Sequence, residues 1–169
     1  SMDHALFDTE RGINRYLNSN QNYGESQSGT VTSYNEGGFS LSGNLAVNGY
    51  AFDYVSWTFR KSPKFLDVLS WDGDGVDGRS ISHDLGVTPG FAIIKRVRGG
   101  TNWLCRHSGL NENQFIWLDE NTAAQTATSG GPNGEVFAMN DRKLTFNNNW
   151  GPYTNSNNES YVAYLFAHD

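Results

Sequence analysis

Short apolar, β-prone runs, several of them alternating apolar and polar residues with a period of two, recur along the chain, and glycine, asparagine or aspartate breaks them every few positions. That is the pattern of short strands joined by tight turns. It is densest over residues 57–107. Phe65 to Trp71 (FLDVLSW) is apolar and β-prone, DGDGVDG interrupts it, and Arg79 to Leu85 (RSISHDL) places Ile81, His83 and Leu85 on one face. The expectation is strand, turn, strand. Gly86 to Gly90 (GVTPG) predicts the next reversal, Pro89 fixing φ and Gly90 accepting the φ that the corner needs. Phe91 to Val97 (FAIIKRV) is apolar on both faces over its first half, as in a central strand covered on two sides. Its second half turns basic and is expected to reach water.

Nearer the start, His4 to Asp8 (HALFD) and Ile13 to Leu17 (INRYL) predict short strands, and residues 18–29 are too polar to be more than a surface loop. Thr30 to Tyr34 and Phe39 to Leu41 flank Asn35-Glu36-Gly37-Gly38, a hairpin turn by composition. Phe52 to Phe59 (FDYVSWTF) predicts a long aromatic strand, closed by Pro63.

The second half repeats this order. Trp103 to His107 matches His4 to Asp8, Ile116 to Asp119 matches Arg15 to Asn18, and Lys143 to Asn149 matches Gly38 to Asn44. Tyr161 to Phe166 (YVAYLF) matches Tyr54 to Phe59 (YVSWTF). The expectation is one domain over 1–169, built from a partial repeat (3–62) followed by a complete one (63–169), with Ser1 and Met2 as an expression scar. The expected class is all-β: two antiparallel sheets packed face to face in a jelly-roll or concanavalin-like sandwich. A closed β-barrel is the alternative architecture.

Composition narrows the chemistry. With 169 residues the chain is long enough to bury a core without staples. A net charge of -6 and a pI near 5.1 disfavour a nucleic-acid partner. The basic cluster Lys95, Arg96 and Arg98 is split between strand faces by the alternation. Cys105 is the one cysteine, which excludes an internal disulfide, and its neighbours Trp103 and Leu104 mark it as a small buried hydrophobe. No apolar run has the length of a membrane span, so no membrane insertion is expected.

The series W-T-F-R-K-x-P-K-F, then G-x-G, R-S-I-S-H-D-L-G-x-x-P-G-F-A-I-I-K-R and N-W, closing with Y-V-A-Y-L-F-A-H-D, resembles a repeat module of uncharacterised bacteriophage tail-associated proteins common in marine phages. The resemblance covers Trp57 to Asp169 well and the first half more loosely. It implies β-structure at the surface of a virion, made in the host cytoplasm and released by lysis, with other tail or fibre subunits as partners. It makes a homotrimer natural, and it transfers no catalytic residue.

Two loops hold the candidate chemistry. Asp72, Asp74 and Asp77 in DGDGVDG offer three carboxylates to a calcium ion, although Asp and Gly are also what a tight turn uses. Asn147-Asn148-Asn149-Trp150-Gly151-Pro152-Tyr153 presents Trp150 and Tyr153 beside the amides of Asn148 and Asn149, the combination that stacks on a sugar ring and exchanges hydrogen bonds with its hydroxyls. The bland reading is that Trp150 caps an open end of the sandwich. Glu112, Asp119, Glu120, Glu135 and Asp141 fall singly or adjacent, without the paired spacing of a glycosidase. The four histidines lack metal-ligand spacing, and His83 is expected to be a hydrogen-bonded, half-buried residue.

The sequence therefore predicts a non-enzymatic tail or tail-fibre module displaying loops to a host-surface glycan. The alternatives are a purely structural spacer and, less directly, a capsule-degrading hydrolase or lyase.

Overall fold

The computed structural model describes residues 3–129 and 134–168. It is built almost wholly of antiparallel strands, and none of its sheets closes into a barrel. The central sheet has six strands. Its middle is β14 (Ser160–Ala167), flanked by β6 (Leu66–Asp72) on one side and β8 (Pro89–Arg96) on the other. Beyond β8 follow β9 (Leu104–His107), β10 (Gln114–Trp117) and β11 (Gln125–Thr126). β14 is central because SYVAYLFA is apolar at nearly every position, so it can be covered on both faces.

Alternation along β14 divides the interior. Tyr161, Ala163 and Leu165 enter one apolar cluster, and Val162 and Tyr164 enter another. The first cluster also takes Phe137, Leu144 and Phe146 from a second sheet, β12 (Phe137–Met139), β13 (Lys143–Phe146) and β7 (Ser80–Ser82). Trp71 lies stacked between Phe146 at 5.1 Å and Tyr161 at 5.5 Å. The second cluster takes Leu17 from a third sheet, β1 (Ala5–Leu6), β2 (Arg15–Asn18) and β3 (Ser26–Gln27). A hairpin, β4 (Val31–Asn35) and β5 (Gly38–Leu41), and two single-turn helices, α1 (Leu45–Asn48) and α2 (Gly151–Thr154), complete the elements used below.

Four expectations are corrected. β6 and β7 do not form a hairpin: β6 pairs with β14, and β7 crosses to the second sheet and pairs with β13. Lys95 does not reach water but is fully buried, its ammonium donating to the carbonyls of Asn22 at 2.9 Å and of Thr101 and lying over the Trp103 ring. Gly90 has no unusual φ; a Cβ there would stand 2.3 Å from that of His168, so the glycine answers to close approach. Pro89 is admitted because the β8–β14 register shifts at Ala167 opposite it. Phe52 to Phe59 is not a strand: it joins no sheet among the described residues and is exposed throughout.

Candidate functional site

β10 contributes Phe115 and Trp117, two positions apart and so on one face, both buried. A 3-10 turn over Asn148–Trp150 runs directly into α2 and lays Trp150 and Tyr153 over them. The Trp150 ring meets Phe115 edge-on at 4.8 Å, and Tyr153 lies 5.0 Å from Trp117 and 5.7 Å from Trp150. Four aromatics thus form one cluster, the inner pair buried and the outer pair half-buried. Trp150 Nε1 donates to the Ser129 carbonyl at 2.9 Å, which fixes the indole plane. Asn148 and Asn149 stand exposed beside it. The structure therefore brings all four residues of the expected loop to one place. The sequence did not disclose that Phe115 and Trp117 are the floor.

This loop is tied to the aspartate-rich turn. The Asn148 amide donates to Asp77 Oδ1 at 2.9 Å. Asn155, buried, is the centre around which the turn wraps: its Nδ2 donates to Asp74 Oδ1 at 2.9 Å and to the Val76 carbonyl at 3.1 Å, and its Oδ1 accepts from the Asp74 amide. Hydrogen bonds from the Val76 amide and from Asn155, with Arg79 nearby, hold the Asp74 carboxyl below its ordinary range. Asp72 accepts from the Ser160 hydroxyl at 2.7 Å. Each of the three carboxylates has its own protein partner. Among the described residues, no group of three or more His, Cys, Asp or Glu side chains is arranged to hold a metal ion.

Asp119, Glu120, His83 and Cys105 are occupied as structural groups. Asp119 accepts from the Trp103 amide, and Glu120 accepts from Asn102. His83 is buried, its Nε2 against the Asn140 carbonyl and its Nδ1 accepting from the Leu85 amide. Burial pushes the Cys105 thiol up to about 12, which leaves it protonated and inert.

Sequence reasoning missed a buried ionic network between the third sheet and β14. Arg11 Nε donates to Asp8 Oδ2 at 2.6 Å and Nη1 to Glu25 at 3.2 Å, while the Tyr164 hydroxyl donates to Asp8 at 2.5 Å and accepts from Arg11 at 3.3 Å. Burial, the largest influence, and the neighbouring Asp8 carboxylate raise the Tyr164 hydroxyl well above its ordinary value. An open cleft of about 800 Å³ adjoins this network between Arg15, Glu25, Asp72 and Arg98. Arg15 is paired with Glu25 there.

The family model for a domain of unknown function, DUF7483, matches residues 1–169. The chain belongs to that family. No curated protein and no solved structure matches it. The DUF7483 assignment extends over both halves of the chain, so the aromatic cluster and the aspartate-rich turn both lie inside the family domain. No described helix is long and apolar enough to cross a membrane.

Proposed function

We propose that this domain is a non-enzymatic module of a phage tail or tail fibre that presents the Trp150–Tyr153 loop to a surface glycan, its sheets forming a jelly-roll-like sandwich. One observation carries the reading: two half-buried aromatic rings, held rigid from beneath by Phe115 and Trp117, with the exposed amides of Asn148 and Asn149 at their rim. A fixed ring loses little conformational entropy on binding, and amides supply both donor and acceptor to sugar hydroxyls. Replacing Trp150 or Tyr153 by Ala should abolish binding on a glycan array while the circular dichroism of the fold is retained. An array on which the wild-type domain binds nothing would contradict the reading.

The second reading, a structural spacer, is favoured by the Trp150 Nε1 bond to Ser129, which fits a ring that closes off the core edge. On that reading Trp150→Ala costs stability and leaves no binding to lose.

A further inference from the structure

Residues 54–59 carry large apolar side chains in the open: Tyr54 is 43% exposed, Val55 74%, Trp57 79% and Phe59 59%. Of their sequence counterparts in β14, Tyr161 and Val162 are 0% exposed and Tyr164 6%, and Phe166 is half-buried. The likeness extends beyond sequence to local geometry. The Tyr54 hydroxyl donates to the Leu45 carbonyl at 2.6 Å and accepts from the Gly49 amide at 3.0 Å. The Tyr161 hydroxyl donates to the Gly151 carbonyl at 3.0 Å and accepts from the Ser156 amide at 2.9 Å. In each case a tyrosine ties the first residue of a one-turn helix to the start of the segment that follows.

Strand pairing repeats as well. Leu6 faces Leu17 and Arg15 faces Gln27; adding 99 to each number gives the pairs Cys105 with Ile116 and Gln114 with Thr126. Tyr34 faces Phe39, and adding 105 gives Met139 with Leu144. This register aligns Arg15 with Gln114, two residues from the alignment expected from sequence. β1, β2 and β3 are thus the counterparts of β9, β10 and β11, β4 and β5 those of β12 and β13, and α1 that of α2.

What differs is the front half. In the second module β6, β7 and β8 flank β14 on both sides and add to β9 and β13. The corresponding edges of the first module, both sides of 54–59, the free edge of β1 and that of β5, have no strand partner among the described residues. One missing piece accounts for all four.

We propose that residues 54–59 are the central strand of an open module, completed by a front half of the same type, with the pattern of residues 62–101, placed ahead of Asp3 in a tandem array. A second copy of this chain fits less well. Its β8 already lies between β9 and β14, so of its front-half strands only β6 and β7 have an outer edge free to pair among the described residues. Such a copy offers two edges where four are open, and it cannot fill the place of β8 between 54–59 and β1. Completion is strand addition, in which main-chain hydrogen bonds give affinity and alternate side chains set the register.

The test joins residues 62–101 ahead of Asp3 in the intact chain, keeping the spacing because Leu104 corresponds to Ala5. Chymotryptic cleavage after Trp57 and Phe59 is then timed. The expected result is cleavage slowed on the order of 100-fold or more relative to the unextended chain, as for a segment passing from an open to a cooperatively folded state. Trp57→Asp should restore fast cleavage in the extended chain. Unchanged cleavage in a folded extended chain would overturn the proposal. So would protection of the unextended chain that rises with its concentration, which would make a second copy the occupant. If the extended chain does not fold, Trp57→Asp in the unextended chain still decides: an unchanged melting temperature supports an open segment, and a fall of several degrees shows a seated one and overturns it.

Discussion

Tyr164 joins two sheets through one hydroxyl. It lies on β14, and its donor bond to Asp8 together with the bond it accepts from Arg11 fixes the β1–β2 connection against the central sheet. Tyr164→Phe keeps the ring and deprives a buried carboxylate of a donor, so it should cost about 1–3 kcal/mol in urea unfolding. Lys95 makes a separate prediction. Burial lowers its ammonium from 10.5 to about 8, against a smaller opposing influence of Asp119. Between those values the unfolded chain holds the proton more firmly than the folded one, so stability rises with pH through that window. Below 8 both states are protonated and the full cost of the buried charge is present. The unfolding free energy of wild type minus that of Lys95→Met should therefore increase from pH 8 to 10.5. Cys105 acts in the opposite sense above pH 9, since its thiol is raised to about 12, but it is common to both proteins and cancels in the difference. A flat difference would show that Lys95 is not buried as a cation. Nothing in FAIIKRV announces this burial, because a lysine inside a strand looks the same whether its partners are water or the distant carbonyls of Asn22 and Thr101.

Among the elements, the aspartate-rich turn depends on Asn155 more than on its own acids. Asn155→Ala removes two donors and one acceptor from a buried position, and it should destabilise the fold by about 1–3 kcal/mol in the same unfolding assay. Because each aspartate already has a protein partner, calcium or a chelator should leave the wild-type melting temperature unchanged. The strands themselves were largely legible: apolar, β-prone runs mark β6, β8 and β14, and the match to Gly38–Asn44 marks β13, close to their observed limits. Partners were not. Alternation fixes which side chains share a face but carries no information on which edge a strand joins, and so β7, expected beside β6, lies beside β13. Residues 52–59 show the same limit from the other side, with the composition of a strand and no place in any sheet among the described residues. The aromatic loop was legible in Trp150 and Tyr153. Its floor, Phe115 and Trp117, came from a strand more than thirty residues earlier, a distance that local pattern cannot bridge.

At the scale of the molecule, a six-stranded sheet with β14 at its middle is covered on one face by the β12–β13–β7 sheet and on the other by the β1–β2–β3 sheet. The same succession of elements occurs twice, once closed around β14 and once left open at 54–59. Closed and open copies of one motif in one chain differ in local stability even though their sequences are alike. Hydrogen–deuterium exchange of the unmodified protein compares them directly, amide by amide. The account predicts that residues 161–166 exchange among the slowest in the chain, through global unfolding, and that residues 54–59 exchange within the first time point. Equal protection of the two segments would contradict it.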